Sequence, residues 1–392
     1  MASVSKRGNK YCVRYRYETE TGEIKEKRVS GFLSKEDAWA AARDLESKSN
    51  AGIDVHGDTM TCAEVMERWF ADHCGSLSPN TRAKYSAAID KLSGMFVADL
   101  QVRRLDSRRF NLLLDQLQQK VSVRTAVDNT EPLRLSLSWA VAERLIPVNP
   151  LSNITLPKIP KRVQRILTDA DAEDLVALSV ASNRRCTDFH IPLILALYGG
   201  LRREECAGLR WEDIDFKHNR ITISHVVTMT PDGTEHHKDP KTDLSSRTVS
   251  MPSWVMADLE SAYSVFLSRS NEHTLRHNPL HRVCVTSVGD PYSCKSYAHA
   301  LSRLIREANA QREKNHTSRM PHASFHDLRH THAAMLIRRN VQPKIISERL
   351  GHSSIKITMD LYGYLMPGLQ DSVAELFNKE YSDAHSSEYS AG

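Results

Sequence analysis

The stretch NPLSNITLPKIPKRVQR, residues 149–165, constrains the fold of this 392-residue chain more than any other. Pro150, Pro157 and Pro160 cannot extend a helix and withhold donors from a sheet, so the patterned segments on either side must pack as separate units. Its last eight residues carry four basic side chains, and the whole stretch carries no acid. An extended, proline-stiffened strap of that charge is suited to lie along a phosphate backbone. The length agrees, since a chain of this size divides into two or three domains.

Upstream of the strap two patterns follow one another. Residues 10–32, KYCVRYRYETETGEIKEKRVSGF, alternate as strands do, with TG placed for a hairpin turn. Alternation puts Lys10, Arg14 and Arg16 on one face and Tyr11, Val13, Tyr15 and Tyr17 on the other. SKEDAWAAARDLESKS then has helical spacing with Ser34 as N-cap, so the first domain reads as a small sheet carrying one helix. Residues 50–58, NAGIDVHGD, read as a linker. From Thr61 to about Leu145 the period is helical throughout. TCAEVMERWFADH aligns Val65, Met66 and Trp69, and SPNTRAKYSAAIDKL opens with Ser78 as N-cap and Pro79 in the first turn. Two further helices fit DSRRFNLLLDQLQQK and NTEPLRLSLSWAVAERL, giving a bundle whose Arg82, Lys84, Arg103, Arg104, Arg108 and Arg109 fall outside the apolar stripe.

Downstream, Thr168 and Asp171 form an N-cap pattern at the start of a fresh domain. Helices dominate from there, interrupted by a β segment from Arg220 to Met251 around the turn PDG. The longest apolar run, Phe189 to Leu201, is too short to span a bilayer, so no membrane partner is expected. MASVSKRGNK precedes no apolar stretch, which argues against a secretory signal. Seven cysteines without a CxxC pair read as reduced thiols in the cytoplasm. The net charge of +5 is unevenly spread. Residues 1–56 hold 11 basic and 9 acidic side chains, residues 57–165 hold 16 and 11, and residues 166–392 hold 26 and 28. The cationic excess therefore lies in the first 165 residues, as a polyanion-binding region requires.

The densest chemistry is HDLRHTH, residues 326–332. A zinc site could draw on His326 and His330, with His332 or the pair His236 and His237 adding ligands, yet the HExxH pattern needs Glu where Asp327 stands, and Arg329 repels a dication. An anion site uses more of the stretch: Arg329 offers a planar fork to two phosphate oxygens, and His326 can exchange a proton near neutral pH. Histidines satisfied inside a helical core are the third reading of these seven residues. GGLRREE places Arg202 after two glycines, with Glu205 one helical turn on, as a second clamp or as a local salt bridge. DPKTDLSSRTVSMP sets Lys241 ahead of a short strand. In LGHSSIKITMDLYGY, a helix opened by Pro343 stops at Gly351 and His352 follows. Tyr362 then closes a short helix, either as a functional phenol or as a core aromatic.

In this order GLRREE, PKTDLSSR, HDLRHTH and LGHSSIKITMDLYGY resemble the signature of the tyrosine recombinases, the phage-integrase family, across most of residues 165–370. The bundle containing SPNTRAKY is similar to the family's core-binding domain, and the first 55 residues to the arm-binding domain of integrases from phages and conjugative transposons. The resemblance implies a multidomain, mostly α chain. Residues 1–55 would be an arm-type DNA-binding domain, 57–155 a helical core-binding domain, 156–166 a basic linker, 167–380 an α-rich catalytic domain with a small antiparallel sheet, and 381–392 a tail. It implies that Tyr362 is the nucleophile, that Arg202 and Arg329 hold the scissile phosphate, and that Lys241 protonates the departing 5′ oxygen. His326 and His352 would assist, with Glu205 and His330 in support.

Arg14, Arg16, Arg82, Lys84, Lys158, Lys161 and Arg162 would contact DNA. The expected activity is site-specific recombination through a 3′-phosphotyrosine and a Holliday junction, by a homotetramer on double-stranded DNA, with a DNA-bending host factor, an excisionase and no cofactor. Two departures from the pattern are Gly199, where threonine is common, and Tyr364, where histidine often follows the nucleophile. A catalytically silent architectural protein, a type IB topoisomerase and a zinc hydrolase are the competing readings.

Overall fold

The structure is a computed structural model that describes residues 2–18, 24–50, 60–160, 165–181, 189–230, 232–238, 246–268, 276–286, 288–363, 374–375 and 377–378. The chain divides into two compact units, Met1–Lys161 and Arg162–Gly392, and the division falls inside the basic strap.

In the first unit, β1 (Ala2–Arg7), β2 (Lys10–Glu18) and β3 (Ile24–Phe32) form an antiparallel sheet in that order. The alternating residues 10–32 supply β2 and β3, and the turn between them lies outside the described residues. The sequence does not announce strand β1, because ASVSKR offers only Ala2 and Val4 to the core, Val4 opposite Val13. Helix α1 (Lys35–Asn50) is capped as expected, the Asp37 amide donating to Ser34 Oγ at 3.0 Å. Its Ala38, Ala42 and Leu45 close over Val13 and Tyr15, with Tyr11 and Tyr17 packed at the edge.

The bundle comprises α2 (Cys62–His73), α3 (Pro79–Ser93), α4 (Ser107–Gln118), α5 (Val123–Asn129) and α6 (Glu131–Ala142). Each of the first three begins where a short polar side chain meets an amide: Thr61 with Glu64, Ser78 with Thr81, Asp106 with Arg109. Helix α5 is a piece the sequence reading passed over, since its seven residues span barely two turns. Phe110, Leu113, Leu114, Leu117, Leu133 and Leu137 form the centre of the core, where each such side chain contributes about 1.5–3 kcal/mol. The strap is less free than its composition suggests. Ile154, Leu156 and Ile159 pack on the bundle core while Lys158 stays exposed.

The second unit is organised around α8 (His190–Gly199), which is apolar on nearly every side and therefore buried. No helix among the described residues is long and apolar enough to cross a membrane. Helix α7 (Asp169–Ala181) starts at the reciprocal Thr168 and Asp171 cap. Helix α9 (Arg203–Gly208) follows α8, and then come the sheet strands β4 (Ile214–Asp215) and β5 (Arg220–Ile223), the hairpin β6 (Val226–Met229) and β7 (Glu235–Lys238), and β8 (Arg247–Ser250) beside β5. Helices α10 (Ser253–Ser268), α11 (Cys294–Lys314), α12 (Phe325–Arg338), α13 (Pro343–Leu350) and α14 (Ile355–Tyr362) follow among the described residues. Helix α12 packs along α8, which carries the HDLRHTH box to the GGLRREE box.

Candidate active site

Two glycines in left-handed conformation bring the boxes together. Gly200 ends α8 at φ +68° and turns the chain into Leu201 and Arg202, and Gly351 ends α13 at φ +63° just before His352. A Cβ on Gly200 would lie 2.7 Å from His332 Cδ2, and one on Gly351 would lie 3.0 Å from Arg247 Nη1. The backbone turns are therefore packed directly against the side chains of the other boxes.

Glu205 is the hub. Its buried carboxylate takes Arg202 Nη1 at 2.6 Å and the Arg202 amide at 2.8 Å. Arg247 donates to both of its oxygens at 2.9 Å, and Arg329 Nη1 stands 4.0 Å away. Burial alone would push the Glu205 carboxyl up, but hydrogen bonds and charge from Arg247, with Arg202 and Arg329, hold it at about 2. Three guanidiniums thus share one carboxylate, leaving an uncompensated positive charge.

Arg329 feels this surplus. It is 2% exposed, donates to the carbonyls of Gly200 (2.7 Å) and Leu350, and is lowered to about 9 by burial and then by Arg202. Arg202 keeps 32% of its side chain exposed and also reaches the Gly351 carbonyl at 3.2 Å. An anion arriving there would relieve both strains, which is the physical content of a phosphate clamp.

The histidines divide into different jobs. His326 is exposed on α12, and burial of its ring, then Arg329 and Arg202, lowers its imidazole. His352 bonds Thr358 Oγ1 through Nδ1 at 2.8 Å and is held down at about 3, by burial first and then by Arg329 and Arg202. Both rings therefore face the guanidinium cluster as neutral groups. His332 does neither: Nδ1 donates to the Leu197 carbonyl at 2.8 Å and Nε2 accepts from Arg349 Nε at 3.0 Å. Both ring nitrogens are spent on the core, so His332 answers to the core reading and the zinc reading loses a ligand.

Tyr362 is packed as its core reading expects, with its hydroxyl engaged by a histidine. Its ring is 1% exposed, packed with Ala333, Ile337, Ile346 and Leu350, and its hydroxyl lies 2.6 Å from His330 Nδ1. His330 in turn meets His326 edge to face, ring centroids 4.7 Å apart. Lys241, between β7 and β8, and Tyr364 lie outside the described residues.

Arg247 and Arg349 are the residues that sequence reading missed. Arg349 donates to the carbonyls of Tyr198 and Ser250, and its own carbonyl accepts from Arg247 Nε at 2.7 Å. Arg247 lies within the PKTDLSSR box, and the available signal was an arginine on a four-residue strand of which only Val249 faces the core.

Of the basic residues assigned to DNA, the five that the structure describes lie in the first unit. Arg16 is exposed and faces Glu26 at 3.7 Å, while Arg14 is half-buried. Arg82 donates to the Cys74 carbonyl at 2.9 Å and Lys84 pairs with Glu131 at 2.9 Å, so both exposed heads are already engaged by the bundle. Lys158 is exposed, and Lys161 and Arg162 lie outside the described residues.

Residues 165–365 match the phage integrase family and residues 3–49 match an arm DNA-binding domain. The chain is 26% identical to a tyrosine recombinase XerC-like protein of Caldanaerobacter subterraneus subsp. tengcongensis, over 92% of this chain and 93% of that one. It is 24% identical to the transposase from transposon Tn916 of Enterococcus faecalis, over 86% and 82%. In fold it resembles the Tn1549 transposon integrase solved with a circular intermediate DNA, at a TM-score of 0.67 and 19% identity, covering 77% of this chain and 95% of that one. A lambda integrase dimer bound to a core site is similar at a TM-score of 0.56. With Arg202, Arg247 and Arg329 from three of the boxes gathered at one carboxylate and a match spanning more than half its length, the chain belongs to the phage integrase family.

Proposed function

We propose that this protein is a site-specific recombinase that integrates and excises a mobile element or prophage by cutting and rejoining double-stranded DNA through a 3′-phosphotyrosine. The observation that carries the reading is the surplus of guanidinium around Glu205, one residue along α12 from the histidine that holds Tyr362. A phosphodiester resists attack because it is anionic and its alkoxide leaves poorly. Arg202 and Arg329 would bind its non-bridging oxygens, and each such donor contributes about 10²–10³ in rate. His326 and His352, neutral in the free site, would donate hydrogen bonds to the same oxygens. Lys241 would protonate the departing 5′ oxygen. Tyr362 would conserve the ester's energy, so that a second 5′ hydroxyl can reseal the strand without ATP.

The phenol is buried in the free chain, so α14 must loosen to meet phosphorus. Ile355, Ile357 and Met359 are exposed on that helix and its anchors are Thr358 and Tyr362, which keeps the cost of loosening low. The arm sheet, the bundle and the basic strap with Lys158, Lys161 and Arg162 would supply salt-dependent backbone contacts. Two duplexes need four exchanges, hence a homotetramer and a Holliday junction. A DNA-bending host factor and an excisionase would set the direction.

The test is covalent trapping on nicked suicide duplexes drawn from a randomised pool. The wild-type chain is expected to form a protease-sensitive DNA adduct that Tyr362→Phe does not form. An undiminished adduct with Tyr362→Phe would move the nucleophile elsewhere.

A further inference from the structure

We infer that His330 is the general base of strand cleavage, taking the phenolic proton from Tyr362 as the tyrosine attacks; this rests on the recombinase reading above. The geometry is direct. Nδ1 of His330 lies 2.6 Å from the Tyr362 hydroxyl, within the range of a short O–H···N bond, and the two rings meet with centroids 5.7 Å apart. His330 follows Arg329 on α12 and lies one turn beyond His326, whose ring it touches. His326, His330 and Tyr362 therefore form a line from an exposed ring to a buried phenol.

Two groups face this line: Arg329 and His352. Arg329 interacts electrostatically with Tyr362, so a phenolate forming there would be stabilised.

The step balances. The Tyr362 oxygen bonds to phosphorus, the bond from phosphorus to the 5′ oxygen breaks, the phenolic proton goes to His330 Nδ1, and the 5′ oxygen takes a proton from the general acid, proposed to be Lys241. Neutral His330 then carries its hydrogen on Nε2 before the step. Rejoining runs the same transfers backwards, with His330 returning the proton to the tyrosine.

Burial of the hydroxyl against His330 could equally store the nucleophile until DNA arrives, and the two roles predict opposite signs. A storage contact, once removed, speeds cleavage. A base, once removed, slows it, on the order of 10²–10⁴-fold.

The experiment measures single-turnover adduct formation by the full chain on a nicked suicide duplex selected with the wild type. His330→Ala is expected to slow the adduct by about 10²-fold or more. Replacing Tyr362 by a difluorotyrosine, whose hydroxyl is more acidic, should return at least tenfold of that loss in His330→Ala while changing the wild type by less than about threefold, since a more acidic phenol needs its base less. A sulfur-substituted 5′ leaving group should not rescue the variant, because the acid is intact. Wild-type rates in His330→Ala, faster rates, or equal gains from difluorotyrosine with and without His330 would each overturn the assignment. Should His330→Ala fail to bind the duplex, His330→Asn carries the same comparison. Absence of any wild-type adduct would instead sink the recombinase reading itself.

Discussion

Arg247 holds Glu205 by both oxygens from a strand 42 residues away, and its Nε ties the same guanidinium to the carbonyl of Arg349 at the end of α13. One side chain thereby fixes the carboxylate that orients Arg202 and the helix end that aims His352. The pair is nearly dry on both sides, with 7% and 4% of the two side chains exposed. A two-point contact of this kind cannot be reproduced by a lysine.

Removing Arg247 should leave Glu205 buried with one strong partner. Arg247→Met is expected to destabilise the catalytic unit by about 3 kcal/mol and, by loosening Arg202, to slow adduct formation on the order of 10²-fold. Arg247→Lys should fall between. Urea unfolding and single-turnover cleavage measure the two effects, and an unchanged urea midpoint in Arg247→Met would contradict the hub role of Glu205.

Arg202 and Arg329 should separate by where their side chains sit. Arg202→Ala, altering a side chain one-third exposed, is expected to lose about 10²–10³ in cleavage rate with little change in thermal midpoint. Arg329→Ala empties a site that is 2% exposed and should lose both activity and stability. Equal melting curves for the two variants would show that the buried guanidinium contributes nothing to the fold.

His332 sets an acid limit on the second unit. Burial first, then Arg349, lowers its imidazole from the ordinary 6.5 to about 3, so between those values the unfolded chain binds a proton that the folded chain refuses. Stability from this group is complete above pH 6.5 and falls as pH drops toward 3. Each pH unit in that window costs about 1.4 kcal/mol. Thermal midpoints followed from pH 7 to pH 4 should drop steeply in the wild type and less so in His332→Gln. Parallel curves would assign the acid loss to other groups.

Gly200 and Gly8 offer a matched comparison of strain and space. Both are left-handed, at φ +68° and +60°, yet a Cβ meets His332 and Leu350 at 2.7 and 2.8 Å in the first and nothing within 4 Å in the second. Gly8→Ala should cost only the backbone term of about 1 kcal/mol, whereas Gly200→Ala should cost well over that and disturb the Arg202 turn. Similar losses in stability for both would mean that the tight packing at Gly200 yields freely.

The parts legible in the sequence are those set by local rules. Ser34, Thr61, Ser78, Asp106 and Thr168 mark helix starts because each offers an oxygen to an amide two or three residues on, a contact that needs no distant partner. The alternation of residues 10–18 shows the strand for the same reason, while β1 and the short α5 carry too few apolar residues to show theirs. The four boxes, too, mark the family by residue type and spacing, and the family match covers residues 165–365.

Which member of a box does which job was decided by packing across the chain. His326, His330 and His332 are indistinguishable in HDLRHTH until α8 presents the Leu197 carbonyl to one, α14 presents the Tyr362 hydroxyl to another, and the guanidinium cluster surrounds the third. Arg247 reads as an ordinary strand residue until the fold sets Glu205 opposite it. A side chain's chemistry depends on its solvent and charge environment, and the deciding neighbours here, Tyr362 for His330 and Leu197 for His332, stand 32 and 135 positions away, beyond the range of any local pattern.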